Sequence, residues 1–466
     1  MMKSKYLLQF FLFLAVFSAC ESDDNVAQQP FVIAFERQSY DFSTIANDRE
    51  MKLVFSEAAQ TSGSVTIRIT AENAAYGVDF STFPEAVNQT VEIPFEKGQQ
   101  EATFTFSNLI YPFNSDDKAV KFEVVTINYN SDTAIQGYKT TLISFQRSLG
   151  AVMAPEIGGP NQGDQVYIDL STEAVTKRRR DSWDLGFYAG DQFRVVLNGS
   201  LYMAAKVLEE TNIDAVTSAS VSAFQNQVAV GTFDPTNINY IDAPVGDITQ
   251  TAIAEISTVD AENKVYLVNL GYHIGTDAPL PGSVAIAGNP RGWKKIRILR
   301  NESGYVLQYA DLNSTTHQEI AISKDEAYNF SFFSFNTNNV VPVEPEKTKW
   351  DLNFTVFTNE IVGSGSYGYS DFVVNNLKAG VKVYEVNTSS FAYSAFSLAN
   401  VSEASFLDDQ RVIGADWRNV FTGSAFTDRF FVLKDADGNF YKIRMLAFLN
   451  DGGVRGYPKF EYQLLQ

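Results

Sequence analysis

At 466 residues the chain is too long for one hydrophobic core, and about two to four domains are expected. Its 45% apolar content is that of a globular protein, and 14% aromatics with frequent Thr and Val favour pleated, half-buried strands, so a nearly all-β protein is predicted. A net charge of -19 lacks the basic footprint that releases phosphate counterions, which argues against nucleic acid as a partner.

Lys3 and Lys5 precede an apolar run from Tyr6 to Phe17, which ends at Ser18-Ala19-Cys20. A charged start, a short apolar core and a small-residue end make residues 1–19 a secretory signal. The run is shorter than the roughly 20 residues of a membrane span. Cys20 is the one cysteine in the chain. Its position resembles the lipobox of bacterial lipoproteins, in which the cysteine is lipidated and becomes residue one. Phe17, three places earlier, departs from the commonest lipobox. Glu21-Ser22-Asp23-Asp24 resembles the acidic tag that sends Bacteroidetes lipoproteins to the outside of the outer membrane. These resemblances imply a lipid anchor at Cys20, a tether over 20–30, and outer-membrane, cell-surface placement. Removing the signal with its two lysines takes the net charge from -19 to -21. One cysteine allows no internal disulfide, so burial must stabilise the fold.

Residues 31–147 read as short strands between polar turns. Val65 to Thr70 and Ala102 to Phe106 alternate apolar and polar side chains, and Lys97-Gly98 marks a turn. Regular spacing of this kind predicts a small sandwich. Tyr76-Gly77-Val78-Asp79-Phe80, then Val91-Glu92-Ile93-Pro94-Phe95, then Lys97-Gly98, resemble the Calx-β sandwich domain. Some relatives of that domain bind calcium. The acids here (Asp79, Glu96, Asp116, Asp117) are scattered, whereas calcium needs converging oxygens, so solvated turns are expected. A spacer or adhesion module is the expected role.

Residues 148–163 read as a linker, from Pro155, Gly158, Gly159, Pro160 and Gly163. Two copies of one pattern follow. Trp183-Asp184-Leu185-Gly186-Phe187 matches Trp350-Asp351-Leu352-Asn353-Phe354, and the block Trp293 to Leu299 lines up with Phe440 to Leu446. Matched strings in the same order indicate an internal duplication, with copies at 164–338 and 339–466. The run Lys177-Arg178-Arg179-Arg180 reads as a solvated loop. Residues 204–262 are rich in small polar residues and predict short helices or long loops. Phe430 to Lys434, Asp435 to Asn439 and Phe440 to Leu446 form the clearest hairpin, since Asp-Gly tolerates positive φ.

Trp183 to Phe187 with Arg194 and Leu197-Asn198, and Asp428 to Val432 with Ala436-Asp437-Gly438-Asn439 and Lys442, resemble the HmuY family. Its members are all-β, haem-binding surface lipoproteins of Bacteroidetes. The resemblance implies haem capture for iron acquisition and delivery to an outer-membrane haem receptor. It also implies a His or Met ligand pair between the Trp-Asp-Leu stretch and the final hairpin. This chain departs from that pattern: neither 204–263 nor 377–427 contains a His or a Met. Iron also accepts Cys or Tyr as an axial ligand. The candidates by chemistry are therefore Met203, Tyr202, His273, Tyr384 and Tyr393, against ordinary readings of core filler, packed ring and loop residue.

Other constellations fail. Gly363-Ser364-Gly365-Ser366-Tyr367-Gly368 has the letters of a dinucleotide fingerprint without its strand and helix, and reads as a mobile Gly-Ser loop. Two histidines, His273 and His317, make no zinc spacing. No metal site and no catalytic residues are expected, and the chain is read as a non-enzyme, although a carboxylate pair for glycoside cleavage stays open among 55 acids. Two functions remain: a surface haem-binding lipoprotein, or a surface adhesion or ligand- and glycan-interaction protein that lost haem binding.

Overall fold

A computed structural model describes residues 30–41, 48–109, 118–130, 132–144 and 150–465. The expected signal, Cys20, nearly all of the expected tether, Asp116 and Asp117 lie outside them. The fold is all-β, as expected, and among the described residues no helix is long and apolar enough to cross a membrane.

The N-terminal sandwich comprises β1 (Phe31–Phe35), β2 (Ser39–Asp41), β3 (Asp48–Phe55), β4 (Gly63–Glu72), β5 (Phe80–Phe83), β6 (Thr90–Phe95), β7 (Glu101–Asn108), β8 (Ala119–Asn128), β9 (Thr133–Ile135) and β10 (Thr140–Ser144). They form two sheets, ordered β5-β7-β3-β1-β9 and β2-β10-β8-β4-β6. Period-two patterning builds the core: Val65, Ile67 and Ile69 point inward to meet Phe104 and Phe106, while Arg68 and Thr70 stay in solvent. Each such apolar side chain contributes about 1.5–3 kcal/mol. Asp79 serves a turn: its Oδ2 accepts the Ala75 N–H at 2.7 Å. No cluster of three or more His, Cys, Asp or Glu is placed to hold a metal among the described residues.

The stretch read as a linker begins with a strand. In β11 (Gly150–Met153), Ala151 is fully buried, and the strand pairs antiparallel with the last strand of the chain. Ala-Val-Met is apolar enough to close a sheet edge, and the Pro- and Gly-rich chemistry starts only at Pro155.

The remaining strands are β12 (Asp164–Ile168), β13 (Val175–Arg179), β14 (Leu185–Tyr188), β15 (Val195–Leu197), β16 (Ala204–Val207), β17 (Val265–Asn269), β18 (Trp293–Asn301), β19 (Gly304–Asp311), β20 (Gln318–Ser323), β21 (Phe330–Ser334), β22 (Asn339–Val341), β23 (Leu352–Ile361), β24 (Gly365–Asn375), β25 (Lys382–Asn387), β26 (Arg418–Asn419), β27 (Ser424–Ala425), β28 (Arg429–Lys434), β29 (Phe440–Leu449) and β30 (Arg455–Leu464). Residues 204–262 carry short 3₁₀ turns and one helical turn, α1 (Ser218–Val221). The predicted hairpin is β28–β29, with Phe431 opposite Ile443 and Gly438 at φ +89°.

The two copies are reciprocally exchanged. The hairpin β12–β13 precedes Trp183, and the hairpin β21–β22 precedes Trp350. Yet β14, after Trp183, pairs with β21, and β23, after Trp350, pairs with β12. One sheet is therefore β13-β12-β23-β24 and the other β15-β14-β21-β22. The boundary expected at 338/339 falls between β21 and β22, which are neighbours in one sheet. The copies are therefore not separate units. The first of these sheets packs on β11-β30-β29-β28-β25 around Val166, Leu352, Phe354 and Tyr441. The second packs on β16-β17-β18-β19-β20 around Leu185, Phe187, Ile296 and Phe333. The outer faces of the two exchanged sheets meet each other through Tyr167, Phe332, Trp350 and Trp183.

Candidate functional site

The Trp-Asp-Leu stretches are the locks of this exchange. The Asp184 N–H donates to Phe333 O at 2.8 Å, and the Asp351 N–H donates to Ile168 O at 2.7 Å. The carboxylates repeat the correspondence: Asp184 Oδ2 accepts the Phe335 N–H at 2.6 Å, and Asp351 Oδ2 accepts the Leu170 N–H at 2.8 Å. Each copy's aspartate thus caps the strand lent by the other copy. A buried asparagine closes each turn: Asn198 Nδ2 donates to Trp183 O at 2.8 Å, and Asn376 Nδ2 donates to Trp350 O at 2.9 Å. The copies differ in charge. Asp184 meets Arg291 Nη2 at 2.7 Å, and the pair is 0% and 3% exposed. Burial pushes both carboxyls up, that of Asp184 against the pull of Arg291, and that of Asp351, whose charged neighbours Asp169, Asp435 and Asp437 are acids, well above the usual range.

A second repeated device holds the middle segments. Lys295 and Lys442 occupy matching places in the aligned blocks, and both are buried. Lys295 Nζ donates to Val216 O and Ser314 O, and Lys442 Nζ donates to Tyr393 O and Phe396 O at 2.9 and 3.0 Å. From sequence, Lys442 stands out only as part of the family resemblance and neither lysine is assigned this anchoring role; their shared position in the two blocks was the signal.

Where the exchanged sheets meet, they leave a cavity of about 200 Å³. Tyr167 sits edge-on to Trp350 at 5.0 Å, and Trp183 sits edge-on to Phe332 at 4.7 Å. These ring pairs are counterparts in the duplication, and all four rings line the cavity. Gln165 and Asn353 line it as well, from the face of their sheet opposite the core residues Val166, Leu352 and Phe354. Five buried polar atoms of the lining residues have no hydrogen-bond partner: Gln165 Nε2, Asn353 Oδ1, Asn375 Oδ1, Trp183 Nε1 and Trp350 Nε1. Two carboxyls also face it. Asp242 accepts the Leu197 and Ala252 N–H groups at 2.7 and 2.9 Å, and Glu344 accepts those of Asn329 and Phe330 at 2.7 and 2.9 Å. Burial outweighs these hydrogen bonds and pushes Asp242 up to about 6 and Glu344 up to about 7. The loop 241–251 closes one end. It is latched by Gln410, whose N–H donates to Val245 O at 3.0 Å, and by Lys378, which donates to Gly246 O.

The sequence-derived candidates do not converge. Met203 is 1% exposed, sits in the core under β14, and lines the cavity. Tyr202 ends a 3₁₀ turn at φ +64°, lies edge-on to Tyr272, and has its phenol pushed up by burial. Tyr384 and Tyr393 share a separate small core with Phe396 and Phe430. Tyr384 Oη accepts the Ser402 N–H at 3.2 Å, and Tyr393 packs under Lys442 and Arg444. His273 is exposed in a loop, its N–H donating to Asn289 O at 2.9 Å. Of the five, Met203 alone lines the cavity.

Two further readings need correction. Arg180 is not solvated: it is 1% exposed and its guanidinium donates to Gln162 O, Ser200 O and Ile286 O, while Lys177, Arg178 and Arg179 stay exposed. Charge runs are usually surface features, but three convergent carbonyls satisfy a buried guanidinium, whose pKa burial lowers to about 10. The Gly-Ser string is not a loop throughout, because its second half, from Gly365, belongs to β24, paired with β23.

Solved structures offer distant likenesses. An apo-form Calx CBD1 domain is 16% identical, covering 25% of this chain and 95% of its own, with a TM-score of 0.21. A putative lipoprotein from Bacteroides fragilis is 12% identical over 68% of this chain and 90% of its own, with a TM-score of 0.15. A putative carbohydrate binding protein from Bacteroides ovatus is 8% identical over 93% and 98%, with a TM-score of 0.16. No curated protein matches the chain. The family model for HmuY protein matches residues 161–462 in one span across both copies. The chain therefore belongs to the HmuY family.

Proposed function

We propose that this HmuY-family chain is a non-enzymatic, lipid-anchored capture protein of the outer-membrane surface, holding a small molecule where its two exchanged sheets meet. The observation that carries the reading is the junction cavity, with aromatic walls and five buried polar atoms of its lining residues left unpartnered. A buried polar atom without a partner costs about 1–3 kcal/mol, and a bound molecule supplying hydrogen bonds removes that cost. Cys20 and the acidic residues after it support the anchored placement.

The family match favours a second reading, in which the captured molecule is haem and an outer-membrane receptor takes it on. Met203 is the candidate ligand at the cavity, whose volume of about 200 Å³ requires the sheets to part for a macrocycle. A cleft of about 770 Å³ between the N-terminal sandwich and β11–β13 is large enough, but none of the five candidates lines it. Titrating the full chain in detergent with haem, followed at the Soret band, separates the readings. A saturable shift at micromolar haem, weakened in Met203→Leu, supports haem at the cavity. No saturable shift refutes the haem reading.

A further inference from the structure

The duplication supplies a comparison inside one molecule. The hydrogen bonds of the two aspartates align Ile168 with Phe333 and Leu352 with Leu185. In that alignment Gln165 corresponds to Phe330, and Asn353 corresponds to Gly186. One wall of the cavity is therefore apolar where the other carries two amides. Packing does not require this difference. The Gln165 and Asn353 side chains are 2% and 7% exposed, and each leaves a polar atom unsatisfied, whereas buried polar groups are normally hydrogen-bonded. The indole N–H groups of Trp183 and Trp350 add two donors to the same lining.

The chemistry that complements such a wall is specific. A ligand must accept from three donors (Gln165 Nε2 and the two indole N–H groups) and donate to two acceptors (Asn353 Oδ1 and Asn375 Oδ1). It must also lay an apolar surface against aromatic rings. It should be neutral, since the unpartnered atoms belong to uncharged groups, the carboxyls of Asp242 and Glu344 disfavour an anion, and the one lining cation, Lys378, is engaged with Gly246 O. About 200 Å³ holds roughly seven waters at about 30 Å³ each, close to the size of one six-membered sugar ring. Hydroxyls both donate and accept, and a pyranose presents C–H groups on a flat face.

We propose that the junction cavity binds a single neutral pyranose, with Gln165 and Asn353 reading its hydroxyls against the Trp183 and Trp350 rings. This inference rests on the capture reading above and names its ligand class.

The test is calorimetry with intrinsic tryptophan fluorescence on the full chain in detergent. The probes are neutral hexoses, an acidic hexuronate, haem, and small neutral amides. The variants are Gln165→Met and Asn353→Leu, with Asn353→Ala as one that adds no bulk. A neutral hexose should bind saturably and shift the tryptophan emission, and each variant should weaken it about tenfold, the worth of one hydrogen bond. The variants' melting temperatures should stay level or rise, because no native partner is lost. Saturable binding of another probe, lost in the variants while hexoses stay silent, overturns the sugar class but leaves the capture reading standing. No probe binding, or binding that the variants do not change, overturns both and leaves a water-filled cavity only.

Discussion

Glu344 gives the sharpest physical test of the junction. Its carboxyl is 8% exposed and pushed from 4.5 to about 7, with burial outweighing two backbone hydrogen bonds. A raised carboxyl means the folded chain holds the proton more tightly than the unfolded chain. The stabilisation is therefore full below pH 4.5 and is lost as pH rises through about 7. A shift of about 2.5 units at roughly 1.36 kcal/mol each amounts to about 3 kcal/mol. Glu344→Gln keeps an oxygen to accept the Asn329 and Phe330 N–H groups and removes the charge. The variant should match the parent near pH 4.5 and exceed it by about 3 kcal/mol at pH 8. Urea unfolding of both proteins at several pH values reads this as a widening gap in midpoint at constant slope. A gap that does not change with pH would refute the claim that burial governs this group.

Two substitutions test the locks. Asp184→Asn should cost about 3–5 kcal/mol, because it leaves the buried Arg291 without its counter-charge. Asp351→Asn should stay within about 1 kcal/mol of the parent at neutral pH, since burial already opposes its charge and an amide oxygen can still accept the Leu170 N–H. Equal costs in urea unfolding would show that the asymmetry has no energetic weight. Lys442→Met strips the carbonyls of Tyr393 and Phe396 of their donor at about 2 kcal/mol. Amide exchange should then accelerate in residues 388–406, and unchanged exchange there would show that the lysine does not hold the segment.

Much of the fold was legible in the sequence because local pattern and burial agree. Val65-Thr66-Ile67-Arg68-Ile69 alternates in sequence and in exposure, and Asp435 to Asn439 turns where Asp-Gly permits it. The exchange was not legible. Periodicity says which face of β12 is buried, not whether β14 or β23 lies beside it, and both offer the same Trp-Asp-Leu edge. Arg180 was misread because three exposed neighbours set the composition of its run, while its partners are carbonyls up to 106 residues away. The search for ligands favoured His, Met and Tyr, the residues iron prefers. The unsatisfied atoms of the cavity lining instead belong to Gln165, Asn353, Asn375 and two tryptophans already in view.

The exchange also explains why a site should sit at the junction. Each copy supplies the strand that completes the other's sheet, so neither can leave without unpairing β12 from β23 and β14 from β21. Both Trp-Asp-Leu locks therefore hold the same frame, with Asp184, Asp351, Asn198 and Asn376 in matching roles. The face between the sheets lies outside both cores, which are on their other sides. There one sheet carries Gly186 and Phe330, while the sheet opposite presents Asn353 and Gln165. An asymmetric pair of walls across a near-symmetric frame is what recognition of one small asymmetric molecule requires. A purely structural interface would have favoured apolar side chains on both.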